Sequence, residues 1–137
     1  MKKNSLLLMD EYYLKFIISG LFSEYKVIDE LYDCYKDDEK ILTKNIVSFL
    51  SDIQKKIKNL SKVLDNLVCF NKRYSNEVNI KYLRRCLSLL HDISDTNKLF
   101  INYIRDEETD DYFNRNNLDN LLRIIEEHET LFNLNYI

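Results

Sequence analysis

The chain of 137 residues contains no proline and a single glycine, Gly20. That absence constrains the fold more than any motif does. Tight strand turns draw on glycine, and so do the loops that cradle phosphate groups, so hairpin-rich sheets and nucleotide-loop folds are disfavoured. What remains is a chain whose backbone has almost nothing to interrupt a helix. A hydrophobic share of 45% beside 31% charged residues places it among globular chains, and its length suits one domain with a genuine core.

Helical periodicity runs through most of the sequence. The stretch Asn79 to Ile93 is the most apolar. Leu83, Cys86, Leu87, Leu90 and Ile93 recur at spacings of three and four, with Ile80 and Leu89 widening the stripe. Such a helix belongs at the centre of a bundle, with Asn79 as its cap. Before it, Tyr13, Phe16, Ile17 and Leu21 mark a first helix over Met9 to Phe22. Ser23 caps a second on Val27, Ile28, Leu31, Cys34 and Tyr35. Leu42, Ile46, Phe49 and Leu50 mark a third. Ser51 and Gln54 form a capping box that restarts a fourth helix on Ile53, Ile57, Leu60, Leu64 and Leu67. With Leu50 these alternate three and four, a heptad stripe too short for a coiled-coil dimer and better read as a core face. Ser94-Asp95-Thr96-Asn97 supplies a turn before a short helix on Leu99, Phe100, Tyr103 and Ile104. Arg105 to Asp111 reads as a solvated acidic loop. Asn116 or Asn117 then caps a last helix carrying Leu118, Leu121, Leu122, Ile125 and Phe132. The expectation is a single-domain all-α bundle of about seven helices around Asn79 to Ile93.

The sequence offers little chemistry. His91 and His128 sit near the ends of apolar helix faces, where histidine is more often a packing residue or a charge at the negative end of a helix dipole than a general base. Cys86 and His91 are five residues apart on one helix and point in different directions. Cys34, Cys69 and Cys86 are odd in number and widely spaced, which suits neither a disulfide framework nor a zinc site and points to a reducing compartment. The acidic run Asp106 to Asp111 lacks the glycine and ligand periodicity of a calcium loop. No catalytic group, cofactor or metal is expected. A net charge of -3 with interspersed signs shows no footprint for a nucleic acid backbone. The apolar run Leu6 to Met9 is closed by Asp10-Glu11, too early for a signal peptide, and no stretch approaches the ~20 apolar residues of a membrane span. The reading is an intracellular, soluble chain without membrane insertion. Tyr12, Tyr13, Tyr25, Tyr32 and Tyr35 crowd the first two helices, and tyrosine is enriched at protein interfaces.

The order and spacing of Leu31-Tyr32 with Asp37-Asp38, the Asn79-Ile80 entry to the apolar helix, and Leu121-Leu122, Ile125-Glu126 and Leu134-Asn135-Tyr136 carry a resemblance to the short poxvirus Bcl-2-like proteins. The resemblance covers roughly Ile28 to Tyr136. It implies a non-enzymatic immunomodulator in the host cytoplasm that binds host signalling proteins upstream of NF-κB, often as a homodimer through a face including the first helix. For this chain that face comprises Tyr12, Tyr13 and Phe16. The alternative within the family is an anti-apoptotic protein taking a death-motif helix in a groove floored by Leu42, Ile46, Leu50, Leu83 and Leu87, with Arg84 as an available cation. Cellular members open the central helix with Asn-Trp-Gly-Arg, whereas this chain reads Asn79-Ile80-Lys81-Tyr82, which favours the signalling mode. An unrelated helical structural or assembly subunit is the third reading.

Overall fold

The computed structural model of the chain describes residues 11–105 and 115–136. They form five helices and, among the described residues, no strand: α1 (Glu11–Tyr25), α2 (Val27–Tyr35), α3 (Glu39–Arg73), α4 (Glu77–Arg105) and α5 (Arg115–Tyr136). The all-α expectation holds, and the expected count of about seven does not. Two predicted breaks are absent, so four expected helices become two long ones.

The first absent break is at Ser51 to Gln54. Instead of capping, this segment lies inside the 35-residue α3. Capping chemistry is optional where nothing else stops a helix, and neither glycine nor proline occurs in α3. Its buried stripe runs through Leu42, Ile46, Leu50, Ile53, Ile57, Leu60, Leu64, Leu67 and Asn71. Each buried leucine or isoleucine contributes about 1.5–3 kcal/mol, which outweighs the weak pull of Ser51 toward a helix start. The second absent break is at Ser94 to Asn97, which lies within the 29-residue α4. There the Thr96 hydroxyl donates to the Asp92 carbonyl at 3.0 Å, satisfying itself on the helix rather than ending it. The apolar helix thus extends well beyond the expected Asn79 to Ile93.

α3 and α4 form an antiparallel hairpin, and its turn shows why α3 ends where it does. Ser75 takes a left-handed backbone (φ 54°). The Asn76 N–H donates to the Asn71 carbonyl and the Ser75 N–H to the Lys72 carbonyl, both at 3.1 Å, closing the end of α3. Asn76, not Asn79, caps α4: its side-chain oxygen accepts the Asn79 N–H at 3.2 Å and its carbonyl accepts the Ile80 N–H at 3.1 Å. Asn79 is buried instead, donating to Asn71 Oδ1 at 3.0 Å, while Asn71 Nδ2 donates to the Leu67 carbonyl at 2.7 Å.

α1 and α2 are separated by Lys26 alone, where the bonds Lys26 N–H to Ser23 O and Asp29 N–H to Lys26 O tighten to three-residue spacing. They read equally well as one interrupted helix. Ser23 therefore lies within α1 and caps nothing. Of the expected α1 face, Leu21 is buried, Ile17 is partly buried against the core and Phe16 is exposed, while the Tyr13 side chain lies outside the described residues; Leu14, Ile18, Phe22 and Tyr25 complete the buried face. α2 packs on α3 and buries Ile28, while Cys34 and Tyr35 are exposed. The described span of α5 opens at Arg115, so the expected caps Asn116 and Asn117 lie within the helix, and it packs against α1 and α4. The Phe22 and Phe132 rings meet at 5.9 Å. The expected acidic loop from Asp106 to Asp111 lies outside the described residues.

Candidate functional site

A buried polar cluster ties three helices together. Asn97 of α4, fully buried, accepts the Tyr25 hydroxyl of α1 at 2.7 Å. Its amide donates to the Leu50 carbonyl of α3 at 2.8 Å and to Gln54 Oε1 at 3.2 Å. Gln54 in turn donates to Ser94 Oγ at 2.5 Å. Burial, with the neighbouring Glu24 carboxylate adding to it, pushes the Tyr25 hydroxyl well above the usual tyrosine range, so it stays protonated and donates. This cluster is satisfied and enclosed, and its chemistry is structural. The sequence signal for it was visible at Asn97, four residues past Ile93, where the apolar spacing of α4 calls for a leucine.

The titratable candidates do not converge. Cys86 is fully buried, whereas His91 is exposed on the same helix. His128 lies on α5, partly buried, and Cys34 and Cys69 are exposed on α2 and α3. Among the described residues, no group of three or more histidine, cysteine or acidic side chains is placed to hold a metal ion. No described helix is long and apolar enough to cross a membrane.

Of the residues expected to line a groove, Leu42, Ile46, Leu50 and Leu83 are buried in the core and Leu87 is partly buried against it, with Arg84 exposed on α4. Leu83 and Leu87 thus share a core with the three α3 residues, and Arg84 points to solvent beside them. Of the expected dimer face, Phe16 is 74% exposed. The side chains of Tyr12 and Tyr13 lie outside the described residues. Tyr25 is buried and Tyr32 partly so, leaving Tyr35 the more accessible of the three described tyrosines in α1 and α2.

Two grooves were not anticipated. One, of about 380 Å³, lies between the α1–α2 junction and α5. Phe22, Tyr25, Leu122 and Ile125 form its apolar lining, and Lys26, Asp29, Asp119, Arg123, Glu126 and Glu129 its charged lining. The other, of about 330 Å³, is bounded by Leu99, Phe100 and Tyr103 of α4 and Asn120 of α5. Leu99, expected on a core face, is 69% exposed there. Continuing α4 unbroken through Ser94 to Asn97 sets its phase, placing Asn97 and Ile101 inward and Leu99 outward. Compared with known protein families, curated proteins and solved structures, the chain matches none of them.

Proposed function

We propose that this chain is a non-enzymatic inhibitor that acts by binding other proteins, with host components of innate immune signalling upstream of NF-κB as its targets and the host cytoplasm as its place of action. The supporting observation is Phe16. It stands 74% exposed on α1 between Leu14 and Ile18, both fully buried. A large aromatic ring held out from a helix contributes nothing to the core, and accessible aromatic side chains anchor protein interfaces. The choice of host signalling proteins rests on the sequence resemblance and on the departure at Ile80-Lys81-Tyr82.

The test is an NF-κB reporter assay in cells expressing the full chain. Inhibition is expected, and it is expected to be lost on Phe16→Asp, a substitution at an exposed site that leaves the helical circular dichroism intact. No inhibition at good expression refutes the reading and leaves the anti-apoptotic and structural-subunit alternatives. The same variant addresses self-association: a homodimer through the α1 face dissociates on Phe16→Asp, and a wild-type monomer at high micromolar concentration in sedimentation retires that dimer.

A further inference from the structure

The turn between α3 and α4 gathers charge that the sequence holds apart. Lys72 and Arg73 end α3, and Lys81, Arg84 and Arg85 lie in the second and third turns of α4. All five are exposed, and among the described residues none of them makes an ion pair. Only Glu77 opposes them between residues 69 and 85. The segment therefore carries +4, leaving -7 for the rest of a chain whose total is -3. Lys72 and Arg73 complement the negative end of the α3 dipole. Lys81, Arg84 and Arg85 have no such account, because they sit beyond the first turn of α4 and toward its positive end.

Apolar side chains stand in the same place. Tyr74 is 57% exposed and Val78 49%, with the Phe70 ring packed on Tyr74 at 5.1 Å. Val78, Lys81 and Arg85 follow one another at three and four residues, so they share one face of α4. Cations flanking exposed aromatic and aliphatic groups match the headgroup region of an anionic bilayer, which offers phosphates to the first and a partly apolar layer to the second. A nucleic acid backbone rewards the cations but offers nothing to Val78.

We propose that the α3–α4 turn is a peripheral docking surface for anionic phospholipid membranes. The bundle lies against the headgroups through these residues without inserting a helix.

The experiment is co-sedimentation of the full chain with vesicles of phosphatidylcholine alone and with about one-quarter phosphatidylserine, where each surface cation is worth about fivefold in partitioning. Binding is expected only to the anionic vesicles and is expected to weaken with salt. Arg84→Gln with Arg85→Gln should lower it about 25-fold at unchanged helical content. Glu77→Gln should raise it about fivefold, a gain that a misfolded variant would not give. Val78→Ser should weaken it at constant charge. Equal binding to neutral vesicles, or indifference to the two arginines, overturns the proposal. Tighter binding to a DNA duplex through the same arginines, insensitive to Val78→Ser, reassigns the surface to nucleic acid.

Discussion

Removing the Tyr25 hydroxyl tests whether the buried cluster at Asn97 stabilises the bundle as a unit. In Tyr25→Phe the ring still fills its site, but Asn97 Oδ1 loses the donor that reaches it at 2.7 Å in a fully buried position. The loss of one buried hydrogen bond with one acceptor left unsatisfied costs about 1–2 kcal/mol. In Asn97→Leu the bonds to the Leu50 carbonyl and Gln54 disappear and the Tyr25 hydroxyl is stranded, at about 2–4 kcal/mol. The double variant removes the stranded hydroxyl together with the amide. It should therefore be less destabilised than the two single losses combined, by about 1–2 kcal/mol. Urea unfolding of the wild type and the three variants measures this, provided the denaturant slope is unchanged. Costs that add to within about 0.5 kcal/mol would refute the view that the two side chains depend on each other.

Three further outcomes follow from local geometry. Gly20 lies inside α1 without a positive φ, and an added Cβ would meet no atom within 4 Å, so Gly20→Ala should stabilise the protein by about 0.5–1 kcal/mol in the same assay. Ser75 holds a left-handed backbone that a glycine adopts without strain, so Ser75→Gly should stabilise by roughly 0.5 kcal/mol once the greater freedom of glycine in the unfolded chain is subtracted. The folded chain keeps the Tyr25 proton to higher pH than the unfolded chain, whose tyrosine ionises near ~10, so the stabilisation from Tyr25 is complete below that value and falls as pH rises past it. The stability gap between wild type and Tyr25→Phe should shrink above pH ~10, and a constant gap would contradict this assignment.

The helical class and most of the core were legible because spacing reports which face of a helix meets its neighbours. Leu42 through Leu67, and Leu83 through Ile93, are buried much as the periodicity placed them, with Phe49 and Leu87 only partly covered. The helix ends were less legible. Ser51, Gln54, Ser94 and Asn97 carry turn and cap chemistry in isolation, and only the packing of α3, α4 and α1 gives Gln54 and Asn97 partners inside helices. The phase of α1 was hidden too, since Phe16 competes with Leu14, Ile18 and Phe22 for one face, and the face that also buries Tyr25 leaves Phe16 outside. Among surface features Phe16 could be named in advance. The basic turn could not, because the signs look mixed along the chain until α3 and α4 are seen to end and begin with these exposed cations on either side of one turn.

The buried asparagines also bear on how α3 and α4 find each other. Two heptad-spaced helices can slide by seven residues and still meet leucine with isoleucine, so apolar packing alone leaves several alignments close in energy. A slip of that size would part Asn79 from Asn71 at one end and Asn97 from the Leu50 carbonyl some 32 Å away, burying amides without partners at both. The two polar contacts thus act as a pair of notches on a vernier, and misaligned hairpins formed early in folding have a steep reason to come apart and try again.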